Sequence, residues 1–253
     1  MSNAFLEALE TVLDGGTLPL HRARRALGAV LAGASTPAQA GAFVGALAMR
    51  GPTCEEIVGF SQAVRELCVK ATVSRSPLLD ACATCASGAG PAGAFHLPTA
   101  VAFIVAGAGA AVAKQINRSV GSRCGSADVL EALGVQVELK PQQSARCVEE
   151  TGLGFFLSSR FHPALEVVRP LRRELGIRTV FDLLEPLANP AGASRHLLGV
   201  YSTGLVPLVA RALQALGSDS ALVVSSRDGL DGISLAAPAL VARLRGGRIE
   251  EYE

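Results

Sequence analysis

From residue 4 to about residue 70, apolar positions recur at intervals of three and four with no alternating run, the period of helices that bury one face. Two helix starts are written out. Thr36-Pro37-Ala38-Gln39 sets a hydroxyl cap before a proline at the first helical position and a Gln three residues after the cap, and Thr53-Cys54-Glu55-Glu56 repeats the logic. After Ser74 the texture changes to short apolar runs (78–82, 110–113, 152–157, 221–224), punctuated by Gly and separated by amphipathic stretches. Strands alternating with helices predict a mainly parallel sheet covered on both faces. Residues 240–253 form two short arms around Gly246-Gly247 and predict a β-hairpin.

The polar stretch 71–77, ending in Pro77, is the expected boundary and hinge. The predicted organisation is therefore a small N-terminal all-α domain (1–72) and a larger α/β domain (73–253), an α+β to α/β class of fold. Clefts at such boundaries are common ligand sites.

Composition narrows the function classes. The chain has 253 residues and a formal net charge of +1, so no global field draws it to nucleic acid or to a membrane surface. The apolar stretch 99–113 is shorter than the roughly 20 residues that span a bilayer and predicts a buried helix running into a buried strand. The first 14 residues are acidic and lack a basic region before an apolar block, so a cytoplasmic protein is expected. Six scattered cysteines do not suggest a small secreted disulfide framework and are expected to be mostly reduced.

Lys114-Gln115-Ile116-Asn117-Arg118-Ser119-Val120, continuing through Gly125-Ser126-Ala127-Asp128-Val129-Leu130-Glu131-Ala132-Leu133-Gly134-Val135, resembles the anthranilate phosphoribosyltransferases. So does the run from Leu171-Arg172-Arg173-Glu174-Leu175-Gly176 to Pro186-Leu187-Ala188-Asn189-Pro190, and so do Ser35-Thr36-Pro37-Ala38-Gln39 and Arg50-Gly51-Pro52-Thr53. The likeness covers essentially the whole chain. It implies a helical domain that forms a homodimer, an α/β domain, and transfer of phosphoribosyl from phosphoribosyl pyrophosphate to the amine of anthranilate with Mg²⁺.

The donor half departs from that family. Where the resemblance leads one to expect Asp-x-Val-Gly-Thr-Gly-Gly-Asp, the chain reads Asp80-Ala81-Cys82-Ala83-Thr84-Cys85-Ala86-Ser87. Three glycines have become Ala83, Cys85 and Ala86, each adding a Cβ where a backbone would approach a pyrophosphate. Gly88 and Gly90 offer a shifted nest just beyond. The next element, Asn-Ile-Ser-Thr in the family, is His96-Leu97-Pro98-Thr99, and Pro98 brings neither hydroxyl nor N–H. Thr84, Thr99 and Ser122 are the phosphate-binding remnants, and the helix opening at Gly125-Ser126 is a further place for an anion. Of the family's terminal Asp-Glu pair for Mg²⁺, Asp231 is kept and the Glu is Gly232, so metal binding is expected to be weakened.

The acceptor half is better kept. Lys114, Asn117, His162 and Arg172 are the candidate substrate-binding residues, with Arg172 suited to a carboxylate and a local ion pair to Glu166 or Glu174 as its plainer explanation. His162 is equally readable as a structural histidine, and solvated charges are the lesser reading of Lys114 and Arg118. Cys82 and Cys85 make a Cys-x-x-Cys pair that suggests either small buried thiols or a nucleophile in the altered loop. Family members extend beyond the hairpin, so apolar surface in need of a cover is expected.

Three functions follow. The leading one is a divergent member with a degraded donor loop that binds an anthranilate-like aromatic acid, with a different group transfer as its candidate reaction. The second is a working anthranilate phosphoribosyltransferase. The third is a non-catalytic binding or scaffold protein, with Arg22, Arg24 and Arg25 as its basic patch, although a run of three is usually a solvated helix face.

Overall fold

The computed structural model describes residues 3–84, 96–118 and 124–253. In chain order the helices are α1 (Asn3–Leu13), α2 (Leu20–Leu31), α3 (Pro37–Arg50), α4 (Cys54–Glu66), α5 (Leu97–Gly107), α6 (Ser126–Ala132), α7 (Pro141–Thr151), α8 (Ser158–Phe161), α9 (Pro163–Leu175), α10 (Val180–Leu184) and α11 (Leu205–Ala215). The strands are β1 (Leu78–Ala83), β2 (Ala111–Ile116), β3 (Leu153–Leu157), β4 (Arg195–Gly199), β5 (Ser220–Ser226), β6 (Ala239–Arg245) and β7 (Arg248–Tyr252).

Both capping boxes form. Thr36 accepts from the Gln39 amide while Gln39 accepts from the Thr36 amide, and Thr53 and Glu56 do the same. Glu56 is fully buried because the same carboxylate also takes Arg50, at 2.7 Å to each oxygen, and the Leu18 amide.

Two compact units result. The helical unit contains residues 1–68 and also 162–188, a segment that a single cut at residue 72 leaves with the α/β part. The reason is its amphipathic pattern: Leu165, Val168, Val180, Phe181 and Leu184 join the core built by Phe5, Leu27, Phe43 and Phe60. The α/β unit contains residues 69–161 and 189–253.

The sheet order is β3-β2-β1-β4-β5-β6-β7, parallel from β3 to β5 and antiparallel at β6 and β7. Four of the strands fall on the predicted apolar runs, and the hairpin closes through Gly246 and Gly247 with φ of 57° and 71°, which suits glycine. Strand β4 falls on none of the predicted apolar runs. Side chains alternate: Leu79, Ala81 and Val112 pack toward Ala102 of α5, while Leu78, Ala113 and Phe156 pack toward Ala145 and Val148 of α7.

Helix α5 corrects one expectation. The apolar composition predicts a buried helix, yet Phe103 and Ile104 are 42% and 70% exposed and only Thr99 and Ala102 are buried on it. No helix among the described residues is long and apolar enough to cross a membrane.

Candidate functional site

The chain reverses direction across the sheet at β1, whose successor β2 lies on one side and β4 on the other. In open α/β sheets the carboxyl ends of the strands at such a switch point form the usual ligand crevice. Thr84 stands there, its amide donating to the Gly199 carbonyl at 2.9 Å and its hydroxyl accepting from the Tyr201 amide at 3.1 Å.

The loop carrying Asp231 folds down on the same end. A Cβ on Gly199 would stand 1.9 Å from the Asp231 carbonyl oxygen, so only glycine admits this contact. One on Gly232 would stand 3.1 Å from a Leu97 methyl carbon, which places the loop beside the start of α5. Ser226 ties the loop by donating to the Gly232 carbonyl at 2.7 Å and accepting from the Ser234 amide at 2.9 Å.

Lys114 is the charged centre of this region. It is 2% exposed, on the α5 side of β2, and its ammonium donates to the Ala81 carbonyl. Among the described residues no carboxylate pairs with it. The expectation of a solvated Lys114 is thereby corrected: the strand carries the ammonium into the interior.

His96 caps the region from α5. Its Nδ1 lies 2.8 Å from the Thr99 hydroxyl, and its Nε2 is buried without a hydrogen-bond partner among the described residues. Burial first, and the Lys114 charge second, push the imidazole down to about 4, so it is neutral at pH 7. Thr99 itself is 2% exposed and hydrogen-bonded to His96. A carbonyl-bound ammonium and a buried imidazole nitrogen without a hydrogen-bond partner among the described residues therefore stand together at this end of the sheet.

Backbone strain does not stand against donor binding at Ala83. Ala83 lies in β1, and no non-glycine residue among those described has a positive φ, so its Cβ costs no backbone strain. Cys85, Ala86, Ser87, Gly88, Gly90 and Ser122 lie outside the described residues.

Cys82 donates to Asp80 at 3.0 Å. Asp80 is 1% exposed and also accepts from the Asn189 carboxamide at 2.7 Å. Asn189 in turn donates to the Ala113 carbonyl, also at 2.7 Å. Asn117 is clipped to the head of α6 by its backbone, the amide donating to the Ser126 hydroxyl at 2.9 Å and the carbonyl accepting from it at 3.3 Å. The expected anion place at that head is taken internally, since the Gly125 amide donates to Asp128 at 2.7 Å. Arg118, read as a solvated charge, is bound by Glu131 and Glu138.

In the helical unit Arg172 contacts neither Glu166 nor Glu174. It pairs with Asp182 at 2.9 Å and with Glu185, and its guanidinium carbon sits 5.8 Å from the centre of the Phe181 ring. Glu166 takes Arg169 instead. His162 is 1% exposed, and burial pushes it down to about 4, against a weaker opposing effect of the Ala188 backbone. Arg22 and Arg24 pair with Glu7 and Glu66, as expected of a solvated helix face.

A helical bundle and an α/β sheet of this order are the two domains of a glycosyl transferase, and the comparisons agree. The chain belongs to the glycosyl transferase family: its helical bundle domain matches residues 6–68 and its a/b domain residues 75–253. The anthranilate phosphoribosyltransferase of Rubrobacter xylanophilus is 46% identical over 98% of this chain and 71% of its own, and that of Methylococcus capsulatus is 48% identical over 97% and 71%. The crystal structure of the Thermus thermophilus enzyme superposes with a TM-score of 0.88 at 40% identity, over 97% of this chain and 72% of that one. The Saccharomyces cerevisiae enzyme in complex with PRPP and Mg shares the fold, with a TM-score of 0.82 at 23% identity over 100% and 73% of the two chains.

His96 and Gln115 were passed over as site residues in the sequence. A signal existed for Gln115: the run Ala111-Val112-Ala113-Lys114-Gln115-Ile116 places it beside Lys114 inside an apolar strand, where a polar residue must have a reason.

Proposed function

We propose that this protein transfers the phosphoribosyl group of phosphoribosyl pyrophosphate to the amine of anthranilate. The observation that carries the reading is the buried Lys114 ammonium, which no carboxylate among the described residues neutralises, at the carboxyl end of β2. Relatives at 46–48% identity with the same enzyme name support it. It is preferred to the divergent-member reading because of those relatives, and Ala83 carries no backbone strain.

In the reaction the amine lone pair attacks the ribosyl anomeric carbon, the bond to pyrophosphate breaks with its electron pair leaving on pyrophosphate, and the amine loses a proton. Lys114 stabilises the charge that develops on the departing group, and burial strengthens that attraction. His96 contributes a neutral hydrogen bond beside it.

Asp231 fits Mg²⁺ as a hard oxygen ligand, because a single carboxylate suffices when substrate phosphates supply further oxygens. The ion would add neutralising charge to the diphosphate. Asn117, His162 and Arg172 are assigned to the acceptor by resemblance, and an acceptor carboxylate reaching Arg172 must compete with Asp182 and Glu185. The reading includes a cytoplasmic homodimer joined through the N-terminal helices and a division of roles near residue 72.

The deciding experiment follows pyrophosphate release from phosphoribosyl pyrophosphate with Mg²⁺ and anthranilate, alongside complementation of a tryptophan auxotroph. Release that depends on anthranilate is expected. Anthranilate binding without pyrophosphate release would restore the divergent reading.

A further inference from the structure

Arg118 follows Asn117 just beyond β2, and its side chain gathers three carboxylates. Nη1 and Nη2 each donate to one Glu131 oxygen at 2.8 Å, Nη2 also reaches Glu138 at 3.0 Å, and Asp128 lies 3.7 Å from Nη1. Glu138 in turn accepts from Arg160 of α8 at 3.0 Å. Exposed ion pairs usually contribute little, but a two-point fork on one carboxylate and a shared network are the two arrangements that do contribute.

The helix that Arg118 grips cannot stand alone. Helix α6 is seven residues long, too short to hold by itself in water, and it starts at Gly125, which offers no side-chain acceptor to its free amides. It is held from two sides. Ala127 and Leu130, three apart, pack with Ile116 and Phe155, while Asp128 and Glu131, also three apart, meet Arg118. Asn117 is fastened to the start of that helix: its carbonyl accepts from the Ala127 amide at 3.0 Å and from the Ser126 hydroxyl at 3.3 Å, and its amide donates to the same hydroxyl at 2.9 Å. The backbone of Asn117 is thus set by α6, and the exposed face of α6 is set by Arg118.

We propose that Arg118 is a positioning residue for the acceptor: through Asp128 and Glu131 it holds the head of α6 on Asn117 and so fixes the direction in which the Asn117 side chain leaves the backbone. The guanidinium itself touches no substrate. The inference rests on the assignment of Asn117 to the acceptor within the transferase reading, and deepens it.

The test compares the full-length wild type with R118M, R118K, E131Q and R118M/E131Q. Anthranilate and inorganic pyrophosphate are titrated calorimetrically, steady-state KM and kcat are measured, and hydrogen exchange is followed at the Ala127 amide. R118M and E131Q should each weaken anthranilate binding by about fivefold, the scale of an exposed pair. The double variant should be no worse than R118M, because both changes cut one link. R118K keeps the charge without the fork and should fall between. Pyrophosphate affinity and kcat at saturating anthranilate should hold, since Lys114 is anchored separately on the Ala81 carbonyl. The Ala127 amide should exchange faster in R118M, with little change in the thermal midpoint.

Wild-type anthranilate affinity or wild-type Ala127 exchange in R118M overturns the inference. So does a silent E131Q beside a damaged R118M, which would put the guanidinium on a substrate. A joint fall of kcat, pyrophosphate affinity and thermal midpoint would leave Arg118 a stabiliser of the fold only, and a wild type that binds no anthranilate is equally fatal. Pyrophosphate release with an unchanged anthranilate KM in R118M sinks this inference and spares the transfer. Anthranilate binding that depends on both Arg118 and Glu131, without pyrophosphate release, does the reverse.

Discussion

Lys114 in the α/β unit and Arg172 in the helical unit are both largely buried cations, and they are held in opposite ways. Arg172 is matched by two carboxylates and an aromatic ring, so the triad of charges is complete and carries one negative charge in excess. Lys114 has a backbone carbonyl and an orphaned histidine near it and lacks any carboxylate partner among the described residues. A buried charge costs free energy unless it is paired. The paired cation contributes to the fold, whereas the unpaired one marks where the fold tolerates a cost that a ligand offsets.

That contrast breaks if the two residues respond alike to substitution. R172M should destabilise the helical unit by about 3 kcal/mol, because Asp182 and Glu185 lose their shared partner. Chemical denaturation measures it, and an unchanged midpoint would make Arg172 a free ligand-binding group. K114M should behave inversely. Its stability should be unchanged or higher, while kcat/KM falls by about 10²–10³, the usual cost of deleting one charge-stabilising donor. Wild-type turnover in K114M would remove the donor site from this end of the sheet.

A pH series sharpens the comparison from the side of a neutral buried group. The His162 pKa is lowered to about 4 from an ordinary 6.5, so the unfolded chain binds the proton more readily. Stability is therefore full above about pH 6.5 and falls as pH drops toward 4, by up to about 3 kcal/mol. Urea midpoints at pH 7 and pH 4.5, compared with those of H162Q, read this term. A variant with the same pH dependence as wild type would assign the loss elsewhere.

Much of the fold was legible because local rules and tertiary packing agree. The Thr36 and Thr53 capping boxes, the four apolar runs that became β1, β2, β3 and β5, and the glycine turn of the hairpin all follow from residues within a few positions of one another. Strand β4 was not legible, since Arg195-His196-Leu197-Leu198-Gly199 carries neither a long apolar run nor clean alternation and owes its state to pairing with β1 and β5. The affiliation of residues 162–188 was equally hidden: amphipathic helices announce a buried face without saying against which core it is buried.

By itself the sequence determined the element types, the family and the residues worth inspecting, because periodicity, capping and long motifs are local and carry their physics with them. Only the tertiary structure decided what each polar residue faces. It sent Lys114 and Gln115, neighbours in sequence, to opposite sides of one sheet, gave Arg172 its partners from α10 and the turn that follows, and brought the Asp231 carbonyl onto Gly199. Burial and hydrogen-bond satisfaction are properties of neighbours distant along the chain, so they arise only once the chain has folded.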